Sequence, residues 1–105
     1  MEVSSSSGNI FEDLGLPESG ELLVKAKLAS QISDIVSERK LTQAQAADLL
    51  GIDQPKVSAL TRGKLSGFSV ERLFRFLNTL GSSVEIRIIP ATQSEERAQT
   101  RVISA

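Results

Sequence analysis

The sequence contains no cysteine and no histidine. Without cysteine there is no disulfide framework and no thiolate metal site. Without histidine as well, zinc centres and the Ser/His/Asp or Cys/His arrangements of nucleophilic catalysis lack their usual members. Tryptophan and tyrosine are also missing, and the four phenylalanines, at 11, 68, 74 and 76, are needed for a core. Single-stranded nucleic-acid binding by aromatic stacking is therefore poorly supported. No apolar run is long enough to cross a bilayer. The opening MEVSSSSGN is acidic and polar, unlike a signal peptide. The carboxylates and lysines form no cluster with metal-ligand or acid–base spacing, and no glycine loop is built to cradle phosphate. These absences lead us to expect a cytoplasmic protein with no metal, no cofactor and no membrane partner. They also speak against an enzyme.

What is present suffices for one modest domain. The chain has 105 residues, 40% of them hydrophobic and 24% charged, a globular composition. The net charge is only −1, but it is unevenly spread. Residues 1–24 carry five acids (Glu2, Glu12, Asp13, Glu18, Glu21) and no base. Residues 54–75 carry Lys56, Arg62, Lys64, Arg72 and Arg75 against Glu71 alone. An acidic head and a basic middle suggest two different partners.

Hydrophobic spacing divides the chain. Residues 1–8 read as a flexible Ser-rich tail, 9–81 as a helical domain, 82–90 as a strand and 91–105 as a polar tail. NIFEDLG (9–15) has Asn9 as a cap, Glu12 three residues later and Gly15 as a stop, enough for one helical turn. A long helix is expected from Pro17 to about Lys40, with Leu22, Ala26, Ala29, Ile32, Ile35 and Val36 facing a core. Thr42 then caps a short helix bearing Ala46, Ala47 and Leu50, which Gly51 ends. GKLSGFS is a loop. Ser69 caps a further helix whose Val70, Leu73, Phe74, Leu77 and Leu80 share one face, and Gly81 closes it. On that helix Arg72 and Arg75 are expected on a solvated face, with Glu71 and Arg75 as an i, i+4 pair.

The segment GIDQPKVSALTRG (51–63) raises a conflict, because proline inside a helix costs about 3 kcal/mol or more. Asp53 as N-cap resolves it. Pro55 then falls in the first turn, where the N–H has no intrahelical partner to lose. The Asp53 carboxylate can accept from the Lys56 amide. Two short helices joined through Gly51, Ile52 and Asp53 make a helix-turn-helix. Ala47 is the small residue at their contact, Gly51 supplies the turn, and Ile52, Val57 and Leu60 anchor the second helix.

With these offsets in place, LTQAQAADLLGIDQPKVSALTRGK resembles the XRE (Cro/cI phage-repressor-like) helix-turn-helix family. NIFEDLGLP and LSGFSVERLFRFLNTLG are similar to its HigA-like antitoxin and regulator subgroup. The resemblance implies a mainly α, five-helix lambda-repressor-like domain that binds double-stranded DNA. It assigns base contacts to Gln54, Pro55, Lys56 and Ala59, and phosphate contacts to Thr42, Gln43, Ser58, Arg62 and Lys64. Gln54 suits adenine and Ala59 suits a thymine methyl. The sequence departs from the family at Ala46, where a larger apolar residue is usual, and at Pro55 and Ala59, where relatives often carry polar readers.

The alternation in SSVEIRIIP (82–90) reads as one β-strand. A lone strand cannot satisfy its own backbone groups. It pairs either with another segment of this chain or with its copy across a two-fold axis; the second is favoured, a homodimer joined through Val84, Glu85, Ile86, Arg87 and Ile88, with Glu85 facing the partner's Arg87. A homodimer would match a palindromic operator. The expected function is that of a dimeric repressor. The alternative is an antitoxin whose acidic N-terminal region neutralises a small basic ribonuclease toxin, with DNA binding as autoregulation.

Overall fold

The computed structural model describes residues 18–91 and 99–104. Within them lie four helices: α1 (Glu18–Glu38), α2 (Gln43–Leu50), α3 (Gln54–Thr61) and α4 (Val70–Thr79). The expected helical turn at 9–15 lies outside the described residues. Helix α1 packs on α4 and α3, and α2 packs on α3 and α4.

The main core gathers Val24, Leu28, Ala29 and Ile32 of α1 with Leu60 of α3 and Val70, Leu73, Phe76 and Leu77 of α4, and it is closed by Leu65, Phe68 and Leu80. Two expectations for α1 are corrected. Leu22 is 53% exposed and Ala26 is also exposed, while Val24 and Leu28 are buried in their place. Ala29 and Ile32 are buried as expected, and Ile35 and Val36 are half-buried against the core. On α4 the buried aromatic is Phe76 and Phe74 is half-buried. Helix α1 also stops at Glu38, short of Lys40.

Each helix end is closed by a residue with positive φ: Lys40 (54°), Gly51 (71°), Gly63 (78°) and Gly81 (92°). The residue after each donates its amide back into the helix. Leu41 bonds Val36 O, Ile52 bonds Ala47 O, Lys64 bonds Ala59 O and Ser82 bonds Leu77 O, all at 2.9–3.0 Å. This recaptures carbonyls that would otherwise be orphaned, as in a Schellman cap. Connections between helices can then be short.

After α4 the chain runs from 82 to 91 without regular secondary structure, and no strand occurs among the described residues. The expected strand is thus not formed, and no other described segment pairs with its backbone. Val84 is half-buried against the main core, whereas Glu85, Ile86, Arg87 and Ile88 are exposed. Part of the expected polar tail returns to the body. Val102 packs against the main core, and Gln31 Nε2 donates to Ser104 Oγ at 2.6 Å.

Candidate nucleic-acid interface

Helices α2 and α3 meet over a second, small cluster: Ala46, Ala47 and Val57, all buried. Two alanines let the helix backbones approach closely. Thr42 caps α2 by accepting from the Gln45 amide at 3.1 Å, and the Gln45 Oε1 accepts in return from the Thr42 amide at 2.9 Å. The reciprocal pair is a capping box, and it pins the start of α2. Asp53 Oδ1 accepts from the Lys56 amide at 2.9 Å, which places Pro55 in the first turn of α3 as expected. Gly51 turns the chain between the two helices.

The consequence is a presented helix terminus. Gln54, Pro55 and Lys56 are all exposed at the start of α3. Val57 and Leu60 are its buried side. Ser58 is half-buried, and so is Ala59, which touches the edge of the main core. The base contact expected of Ala59 thus falls on a methyl that the main core partly covers. Arg62 and Lys64 are exposed just beyond the helix. Thr42 and Gln43 are exposed at the start of α2. The Thr42 hydroxyl oxygen is engaged by its cap, but its proton is still available to donate.

Arg72 departs from the sequence reading. It is half-buried, and its Cζ lies 5.5 Å from the Phe68 ring centre and 5.6 Å from that of Phe76. The two rings meet edge to face at 6.0 Å and 74°. The sequence carries half of the signal: Arg72 and Phe76 are i, i+4 on the helix, whereas Phe68 comes from the loop before its Ser69 cap. The expected Glu71–Arg75 pair does not form. The ion pair among the described residues is Glu21 with Lys25, at 3.4 Å on α1. One Glu71 carboxylate oxygen is shielded from solvent and accepts no hydrogen bond among the described residues. Its place in the first turn of α4 lets the helix dipole favour its charge.

Among the described residues no group of three or more carboxylates could hold a metal ion. No helix among them is long and apolar enough to cross a membrane.

A helix-turn-helix domain family matches residues 10–89. No curated protein matches the sequence. A solved structure described as an XRE family transcriptional regulator is similar in fold, with a TM-score of 0.80 and 45% sequence identity. The match covers 85% of this chain and 100% of that one. A family domain spanning nearly all of the helical body, together with that identity over a whole relative of the same fold, establishes that the chain belongs to the XRE family of helix-turn-helix regulators, which are DNA-binding proteins and not enzymes.

Proposed function

We propose that the protein is a sequence-specific repressor that binds a palindromic operator as a homodimer, with α3 in the major groove of each half-site. The observation that carries this reading is the N-terminal turn of α3. Its backbone is fixed by the Asp53 cap and Pro55, while the Gln54 side chain is exposed and makes no hydrogen bond among the described residues. A rigid helix end with an unspent amide suits bidentate readout of adenine. Pro55 and Ala59 offer only apolar contact, and Lys56 lies beside them. Thr42, Gln43, Ser58, Arg62 and Lys64 supply donors to phosphate on either side. With so few base readers, sequence-dependent DNA shape carries part of the specificity.

The homodimer reading draws on residues 84–88. Ile86 and Ile88 are 56% and 64% exposed on a segment whose backbone has no ladder partner among the described residues. A second copy would bury them and pair Glu85 with the partner's Arg87. Half-sites would then lie about 34 Å apart. The toxin-neutralising alternative rests on the acidic head, which runs into the start of α1, and on the HigA-like resemblance.

Binding measured on the operator and on random duplex tests the proposal. Gln54→Ala should lose affinity on the operator and little on random DNA, whereas Arg62→Ala should weaken both. Equal losses for Gln54→Ala on both duplexes would refute a reading role for that residue. Ile86→Asp should sediment as a monomer. An intact dimer in that variant would remove residues 84–88 from the interface.

A further inference from the structure

Lys56, Arg62, Lys64 and Arg75 are exposed, as flexible surface cations usually are. Arg72 differs. Its guanidinium lies beside the edge-to-face pair of Phe68 and Phe76, both buried, 5.5 and 5.6 Å from their ring centres, so the two rings restrict where it can sit. Arginine packs on aromatic rings in this way while keeping its in-plane N–H groups free to donate. Among the described residues it has no carboxylate within ion-pair distance and no hydrogen bond from its side chain.

Its location gives the arrangement a purpose. Arg72 lines a shallow cleft with Asp48, Gly51, Asp53, Gln54 and Lys56. The cleft therefore opens beside the helix terminus proposed to read a base. Two carboxylates, Asp48 and Asp53, face it as well, and a phosphate approaching them would be repelled. One Asp53 oxygen accepts from the Lys56 amide, which leaves its negative charge in place. Lys56 and Arg72 are the cations that offset the pair.

We propose that Arg72 is a DNA-contacting residue of α4: it grips a backbone phosphate flanking the base met by Gln54, from a position restricted by the two phenylalanine rings. The proposal rests on the DNA-binding reading above. It extends the interface beyond the helix-turn-helix proper to the first turn of the following helix. An arginine so restricted contributes affinity without sequence preference, since phosphates carry none.

The test is the salt dependence of binding to a random duplex of fixed length. A variant that neutralises one phosphate fewer has a slope of log K against log salt shallower by about 0.9. Arg72→Gln should lower the slope by that amount, Arg72→Lys should retain it, and Arg62→Ala should lower it independently. An unchanged slope for Arg72→Gln beside a lowered one for Arg62→Ala would overturn the proposal and leave the DNA reading standing. Absence of salt-dependent binding by the wild type would overturn both. The unmodified protein supplies a second readout, the side-chain Nε–Hε resonances of its arginines in titration with the same duplex. The Arg72 resonance should shift with that of Arg62, and an Arg72 signal that stays still while Arg62 moves would likewise overturn the proposal.

Discussion

The main core and the small cluster under α2 and α3 do the same job with opposite materials. The main core is built from bulk: leucines, an isoleucine and two phenylalanines drawn from three helices and a loop. The small cluster is built from proximity: two alanines and a valine between two eight-residue helices. In the first, stability scales with the volume of what is buried. In the second, the distance between helix axes is what the side chains set. The main core therefore governs whether the protein folds, and the small cluster governs how α3 is aimed.

Three substitutions probe that contrast. The largest effect is expected in the main core. Leu73 is fully enclosed, and Leu73→Ala should cost roughly 2–5 kcal/mol in denaturant unfolding. The DNA affinity of its folded fraction should be unchanged. In the small cluster the damaging direction is reversed. Ala46 is also fully enclosed, and Ala46→Leu should cost about 1–3 kcal/mol by overpacking. Here DNA affinity should fall further than the unfolded fraction explains, because α2 is pushed off α3. A neutral Ala46→Leu would erase the distinction between the two clusters. The smallest effect is expected at a helix end that belongs to neither. Lys40 holds a φ of 54° where the other three ends have glycine. A left-handed non-glycine residue costs about 1–2 kcal/mol, and glycine forfeits roughly 0.5–1 kcal/mol in chain entropy. Lys40→Gly should therefore raise the thermal midpoint slightly, by a net stabilisation of about 0.5 kcal/mol.

The helix-turn-helix is the most legible part of the chain because its requirements are local. Gly51 must turn, Asp53 must cap and Ala47 must be small, and each lies within a few residues of what it touches. Pro55 sharpens the reading, since only one register accommodates it. The long helix is harder. Ala29 and Ile32 are buried as the spacing predicts, but nearer its start Leu22 and Ala26 are as apolar as Val24 and Leu28, and only the packing of the other helices decides between them. Lys40 is unreadable as a cap because lysine carries no preference for positive φ. The Gly63 cap is hidden in a segment that reads as plain loop. Arginine on a helix is usually solvated, so Arg72 reads as surface, although its i, i+4 spacing from Phe76 is in plain view. Residues 82–90 alternate as a strand does, but a strand needs a ladder partner, and the alternation does not name which segment supplies it.

In α3, burial and exposure fall on different residues. Val57 and Leu60 are the side chains with which this helix is seated in the fold. Positions 54, 55, 56 and 62 project away from both clusters. The exposed residues and the seating residues of this segment are thus largely separate, with half-buried Ala59 between the two sets. Under the proposed reading such a helix is open to retargeting: its outward letters could be rewritten for a different operator while the socket that holds it stays as it is.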